Sequence, residues 1–275
     1  MDKKNKVLIF CEYVVLSVFA IAAIFPVIYM VSNSLMGEEE VRNTLQSFKF
    51  HIIPDGFTLI QYYNSLLKQP DFLLKFWNSV ILTVPIVIGQ IVVSIFGAYS
   101  FAKIKFKYKT QIFFMFIILM IMPYQVTLVP IYIIMKKLGL VGSYASIILP
   151  GIFSTFGVFL MTQFVKSIPD EQCQAAKIDG ANDIQILFKI IVPQCKGALV
   201  SLMILSFIDN WNMIEQPLIL LGDKKQPLST FLSQINNGEL GVAFACGVIF
   251  MIPSILMFLK GEDELLKGIQ HLDMK

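Results

Sequence analysis

Long apolar runs separated by short charged stretches dominate this chain of 275 residues. A bilayer core of roughly 30 Å takes about 20 consecutive apolar residues in a helix. Six segments reach that length: Leu8–Ser32, Phe76–Ala102, Gln111–Met135, Tyr144–Gln163, Ala198–Leu221 and Leu240–Leu259. The pattern predicts an all-α membrane protein with six transmembrane helices in one domain over residues 1–275. Pro26, Pro85, Pro123, Pro130, Pro150, Pro217 and Pro253 interrupt or end the runs. In lipid such breaks survive where neighbouring helices or water satisfy the freed backbone groups, so packed, non-ideal helices are expected. The first run follows Lys3, Lys4 and Lys6, but at Val7–Val31 it is too long for a signal-peptide core and lacks a small-residue cleavage site. It is expected to be retained as the first span.

Two long polar stretches separate the runs, near Asn33–Lys75 and between the fourth and fifth spans. Lysine and arginine placement orients them, because cytoplasmic loops carry the excess. With the N-terminus inside, the inner segments hold Lys3, Lys4, Lys6, Lys103, Lys105, Lys107, Lys109, Lys166, Lys177, Lys189, Lys196, Lys260, Lys267 and Lys275. The outer segments hold only Arg42, Lys49, Lys68, Lys75, Lys136, Lys137, Lys224 and Lys225. Both termini are therefore expected in the cytoplasm, the 33–75 loop outside and the 167–193 loop inside.

Composition sharpens the class. Apolar residues make up 56% of the chain and charged ones 15%, where a soluble domain carries about a quarter, so lipid is the expected main solvent. A net charge of +3 is too slight to suggest nucleic acid. Cys11, Cys173, Cys195 and Cys246 have neither metal spacing nor a paired pattern, and read as reduced thiols. His51 and His271 fall on opposite sides of the membrane without a ligand set. There is no GxxxxGK[ST] loop and no Gly-x-Ser-x-Gly elbow. Nothing in this chain points to enzymatic activity.

The inner loop, Ser167–Pro193, carries the densest signal: SIPDEQCQAAKIDGANDIQILFKIIVP. Ser167 suits a helix cap and Pro169 a first turn, while Asp170 and Glu171 suit the positive end of the dipole. That helix runs through Ala175 and Ala176 and is expected to stop at Gly180, a natural left-handed cap. Asn182 then caps a second helix, on which Ile184, Leu187, Phe188 and Ile191 fall at i, i+3, i+4 and i+7. Pro193 is expected to end it. A helix–turn–helix of this kind is either an ordered loop packed on its own domain or an element that inserts into a groove on a soluble partner.

Gln174–Pro193 resembles the EAA motif of ABC importer permeases, matching it at Ala175, Ala176, Asp179, Gly180, Ala181, Phe188 and Pro193. The motif's opening glutamate is Gln174 here, and its preceding acidic position is Glu171. The resemblance continues along nearly the whole chain, towards the carbohydrate-uptake (maltose-type) branch and its second-permease subtype. Phe57-Thr58-Leu59 with Tyr62-Tyr63, Asn78-Ser79, Gly97–Ala102 with Phe106, Met122-Pro123, Pro130-Ile131-Tyr132, Leu138-Gly139-Leu140, Trp211-Asn212 and Pro217-Leu218 carry it in order. The tail Gly268-Ile269 to Lys275 matches poorly.

This resemblance implies a type I ABC importer (MetI-like) permease fold in a bacterial cell membrane. The implied partners are a homologous second permease, an ABC ATPase dimer that holds ATP and Mg, an extracytoplasmic solute-binding protein and a small-molecule solute. It also implies that Glu171, Gln174, Ala175, Ala176, Asp179, Gly180, Ala181, Ile184, Leu187 and Phe188 couple the permease to the ATPase. The outer loop and Gly222–Glu239 would meet the binding protein. A secondary transporter is the poorer reading, since no internal repeat is evident. A repurposed ABC complex, or carriage of a non-sugar solute, stays open alongside carbohydrate import.

The fifth run holds an acidic side chain deep in the membrane. Counting 1.5 Å per residue from Ala198, Asp209 lies roughly 17 Å in, near the midplane. Ionisable groups there are costly and mark function by default. On an unbroken helical wheel Ser206, Asp209 and Gln216 share a face with Asn212 at its margin, while Trp211 and Glu215 point away. These four polar residues either line the solute's path or glue helices together. Gln90, Ser94, Gln125 and Thr127 are weaker candidates, read as packing groups.

Overall fold

A computed structural model describes residues 3–46, 51–68, 70–234 and 240–273. Lys49, Lys275 and residues 235–239 of the 222–239 loop lie outside the described residues. Every described regular element is helical. Three runs form continuous helices at the expected places: α1 (Lys3–Ser34), α4 (Pro70–Lys103) and α15 (Leu240–Asp273). Between the first two lie α2 (Glu38–Gln46) and α3 (Ile60–Tyr63), the latter running into a π turn at Asn64–Lys68. By length and apolar character four helices can cross a membrane, or up to six if each bent pair is one span.

The prolines behave differently according to what surrounds them. Pro26, Pro85 and Pro253 are absorbed inside α1, α4 and α15. Pro123 instead breaks the third run into α5 (Lys109–Ile121) and α6 (Tyr124–Lys137), bent by 103°. Met122 is pushed to extended backbone, as the residue before a proline usually is. The straight crossing expected over Gln111–Met135 is thus two helices meeting at a corner.

The fourth run is split into α7 (Ala145–Gly151) and α8 (Thr155–Ser167), with Ser154 capping α8 by accepting from the Gly157 N–H at 3.0 Å. The fifth departs from its hydropathy: α12 (Lys196–Trp211), a break at Asn212–Ile214, then α13 (Glu215–Leu220). Pro217 explains that break. Its ring excludes the carbonyl four residues back, and it has no N–H to offer it. The orphaned Met213 carbonyl accepts the Ser229 hydroxyl at 2.5 Å instead.

The described residues form two compact units. In the first, Met1–Leu73 with Phe231–Ile252, Tyr29 of α1 meets Phe244 of α15 edge-on at 6.2 Å. The chain after α1 folds back on it: Ser32 donates to the Ile52 carbonyl, the Thr58 N–H to Leu35 at 3.0 Å, and Ser34 pairs with Tyr62 at 2.8 Å. Thr58 and Tyr62, noticed as part of a family pattern, are thus the residues that close this loop.

In the second unit, Leu74–Thr230 with Pro253–Lys275, α4 packs closely on α7 and α8. Glycines permit the approach: a Cβ on Gly89 would strike Ile152, and one on Gly97 would press on Val158 at 3.1 Å. Small residues serve this purpose at membrane-helix contacts, where lipid leaves little hydrophobic drive between helices. One core gathers Ile95, Ala98 and Tyr99 with Met161, Leu187 and Leu202. A second joins Leu82 and Ile86 to Ile147, Met213 and Leu220.

Asn78 and Ser79, in α4, pin the 222–228 segment. The Asn78 side chain donates to the Lys224 and Gln226 carbonyls at 2.9 and 3.0 Å and accepts from the Tyr144 hydroxyl at 2.6 Å. Ser79 accepts from the Leu228 N–H at 2.9 Å, at the start of α14 (Leu228–Ser233).

Candidate coupling element and solute passage

After α8 the chain makes α9 (Asp170–Ile178), a tight turn, and α10 (Asp183–Ile186), which continues as a π turn over Leu187–Ile191 and α11 (Val192–Gln194). Local chemistry fixes the turn. Gly180 sits at φ +83°, its N–H donates to Lys177 at 3.1 Å, and the Ala181 N–H donates to Ala176 at 2.9 Å. That pair of bonds is the Schellman arrangement, which satisfies the last carbonyls of a helix and sets a left-handed residue just beyond it. Asn182 forms a reciprocal capping box with Gln185, accepting its N–H at 2.8 Å and donating its own N–H at 3.0 Å.

Two expectations for this segment need correction. Ser167 does not cap α9: it ends α8 and donates to the Phe164 carbonyl at 2.7 Å, leaving Pro169 at the cap position. Nor does Pro193 end the element. It lies inside the continuing helical stretch, in α11 directly after the π turn. The chain turns only at Cys195, bending by 80° into α12.

The element is held to the membrane helices at both arms. The Lys103 side chain, almost wholly buried at the end of α4, donates to the Ile168 carbonyl and the Asp170 carboxylate, each at 2.5 Å. Asp183 accepts from Tyr99 of α4 at 2.8 Å and pairs with Lys177 at 2.9 Å, closing one arm on the other. These partners hold both carboxyls below the usual carboxylate range. Hydrogen bonding to Lys103 is the main cause for Asp170, and hydrogen bonding to Lys177, then Tyr99, for Asp183.

The apolar stripe on the second arm is divided. Leu187 and Ile191 are buried in the unit's own core, together with Ile186, whereas Ile184 and Phe188 are exposed. The π turn contributes, since an i→i+5 pitch rotates residues that a 3.6 repeat would align. Phe188 leans edge-on against Phe96 at 6.0 Å. Glu171, Gln174, Ala175, Asp179 and Gly180 are exposed, and Ala176 and Ala181 are half-buried. Ile178 escaped the sequence reading, yet it is 86% exposed at the end of α9. An isoleucine two residues before a capping glycine was the available signal.

The polar face of the fifth run opens on a cavity of about 530 Å³ whose lining includes Tyr124, Gln125, Asp209, Asn212, Glu215 and Gln216. An adjoining cavity of about 470 Å³ shares Tyr124, Asp209 and Gln216 and reaches Gln90 and Thr127. Asp209, Asn212 and Gln216 are therefore brought together. Ser206 stands apart: it is buried and donates to Gln90, which donates in turn to the Gly151 carbonyl at 2.8 Å. These are interhelical bonds, the packing role expected of Gln90. Ser94 is buried beside Gly157.

Trp211 points away as expected, stacked on Phe207 at 5.3 Å and edge-on to Phe76 at 5.7 Å. Glu215 does not. The break at Asn212–Ile214 swings it to the cavity wall, where Gln125 donates to both its oxygens at 3.1 and 3.2 Å. Gln125, from the corner at Pro123, thus faces the cavity rather than a packed interface.

Residues 90–259 match the family described as binding-protein-dependent transport system inner membrane component. The chain belongs to that family. It is similar to the lactose transport system permease protein LacG of Rhizobium radiobacter, at 27% identity over 94% of this chain and 93% of the relative. It is 26% identical to the arabinooligosaccharides transport system permease protein AraQ of Halalkalibacterium halodurans, over 91% and 90%. The sn-glycerol-3-phosphate transport system permease protein UgpE of Pectobacterium atrosepticum is 28% identical over 72% and 73%. A chain in the crystal structure of a bacterial ABC transporter involved in the import of the acidic polysaccharide alginate superposes with a TM-score of 0.84 at 25% identity, covering 96% of this chain and 99% of that one.

The fold is thus that of an ABC importer permease, and the chain is a multi-pass inner membrane subunit rather than an enzyme. ATP hydrolysis belongs to a separate subunit, and transport depends on a solute-binding partner.

Proposed function

We propose that this chain is the second of two homologous permeases that together import a carbohydrate of oligosaccharide size by ATP-driven alternating access. The observation that carries the proposal is the 170–193 element. It is rigid by its own capping, tied to α4 through Asp170 and Asp183, and bears exposed apolar side chains at Ile178 and Ile184. A rigid, anchored projection with an apolar tip suits force transfer from a soluble partner, here an ATPase dimer that binds ATP and Mg. Closure of that dimer would draw the two permeases' elements together, and the ties at Lys103 and Tyr99 would pass the movement into α4. Both termini are then cytoplasmic, consistent with the lysine excess in the inner loops.

Carbohydrate is supported by two relatives named for lactose and arabinooligosaccharides, and by a cavity wall of amide, phenol and carboxylate groups that can bond hydroxyls. Asp209, Asn212 and Gln216 line the passage in this reading, joined by Glu215, Tyr124 and Gln125. The test is mass spectrometry of what co-purifies with the tagged chain from its native host in mild detergent. A second permease, an ATPase and a solute-binding protein are expected. Recovery of the ATPase and permease without a binding protein would favour a repurposed complex, and absence of an ATPase would overturn the proposal.

A further inference from the structure

We infer that the passage through this subunit is electronegative and selects against anionic solutes, admitting neutral or amino-bearing glycosides. The inference rests on the reading of the 530 Å³ cavity as part of the solute's path. Two carboxylates, Asp209 and Glu215, face that cavity, and among its described lining residues there is no lysine, arginine or histidine. The adjoining cavity adds Gln90 and Thr127 and again no basic group. Gln125 spends its amide donors on Glu215, which fixes that carboxylate in place but leaves its charge uncompensated. Asp209 is not engaged even to that extent, with no hydrogen bond or ion pair to a described residue.

A carboxyl at membrane depth is costly to leave charged and alone. Asp209 therefore looks outward for its complement, to water or to what passes. A low-dielectric wall of one sign focuses its field into the cavity and enriches ions of opposite charge. A uronate or phosphate ester would meet the Glu215 carboxylate with no basic group in the lining to offset it, whereas hydroxyls and ammonium groups can donate to both acidic side chains. Two proteins similar to this chain are named for anionic cargo, sn-glycerol-3-phosphate and alginate, so family membership does not decide the sign; the lining does.

The test reads the cavity directly in the assembled complex reconstituted in nanodiscs. Asn212→Cys is labelled with a neutral, a cationic and an anionic methanethiosulfonate, and the modified peptide is quantified by mass spectrometry, nucleotide-free and with ATP trapped. If Asn212→Cys does not assemble, Ile208→Cys, on the same cavity wall, takes its place. Relative to their rates with a small free thiol, the cationic reagent is expected to outrun the anionic one by at least ~10-fold. That ratio is expected to fall towards one in an Asp209→Asn/Glu215→Gln background.

A ratio of one or below in the native lining, or one indifferent to those two substitutions, would overturn the inference while leaving the passage in place. No labelling by the neutral reagent in either state would instead overturn the passage reading beneath it. As an independent arm, the solute carried by the co-purified binding protein is expected to bear no carboxylate or phosphate. A uronate or phosphorylated sugar there would equally refute the inference.

Discussion

Gly180 offers the sharpest perturbation because its penalty can be separated from packing. At φ +83° the residue occupies the left-handed region, and nothing lies within 4 Å of the position a Cβ would take. A side chain there meets open space, so the cost is confined to the backbone. For an L-residue that cost is about 1–2 kcal/mol, and a β-branched valine, a true outlier in this region, falls at or above the top of the range. Every 1.4 kcal/mol shifts a population about tenfold, so alanine disfavours the native turn by about tenfold and valine by several tenfold. Against this stand the two Schellman bonds and the Lys177–Asp183 pair. At about 1 kcal/mol net for each hydrogen bond and less for an exposed ion pair, they sum to about 2–3 kcal/mol, which holds an alanine turn and only roughly balances a valine one.

The core residues Leu187 and Ile191 are untouched, so the complex should still assemble. In proteoliposomes with a loaded binding protein, Gly180→Ala is expected to lower solute moved per ATP moderately. Gly180→Val is expected to reduce uptake several-fold while basal hydrolysis persists, the native turn no longer being the dominant population. Gly139, at φ +67° with equally open space, is the control: Gly139→Val should carry a similar backbone cost without uncoupling. Wild-type uptake and stimulated hydrolysis in Gly180→Val would refute the reasoning.

Other outcomes follow from the divided stripe and its anchors. Ile186→Ala, at a fully buried position, should destabilise the permease by about 2–5 kcal/mol in detergent unfolding, whereas Ile184→Asp should leave stability nearly unchanged and weaken ATPase co-purification. Equal effects of the two would contradict the separation of core from docking face. Tyr99→Phe, which removes the hydroxyl bonded to Asp183, should raise hydrogen exchange across 170–191 without unfolding α4. Because Asp170 and Asp183 titrate below their ordinary range, the stability they lend is present above the unfolded carboxylate value, about 4, and is lost as pH falls through the depressed folded values. Exchange in this segment, corrected for intrinsic rate, should therefore be flat from pH 8 to about 5 and rise only below about 4. A rise centred near neutrality would exclude these carboxylates as its cause.

What was legible in the sequence was whatever depends on neighbours along the chain. Apolar run length located the membrane segments, Gly180 its left-handed turn, and Asn182 its cap, because each is decided within a few residues. The errors came where a distant group intervenes. Ser167 has the right chemistry for a cap, but the helix before it claims its hydroxyl. The wheel that turned Glu215 away assumed an unbroken helix. Pro217, two residues on, already signalled the interruption, yet the rescue of Met213 by Ser229 depends on a loop that folds back. Periodicity put Leu187 and Ile184 on one docking face, while the core beneath α10 takes the former and leaves the latter out. The Asn78-Ser79 pair was noticed only as a pattern; its use, pinning residues 224–228, needs the tertiary fold.

The central claim is that the tip of the 170–193 element is the surface the ATPase grips, and site-specific photo-crosslinking tests it most directly. A benzophenone amino acid at Ile178, 86% exposed, should trap the ATPase subunit in native membranes, and the same group at Gly139 should not. Adducts at Ile178 confined to lipid or to this chain itself, in a complex that still transports, would contradict the account.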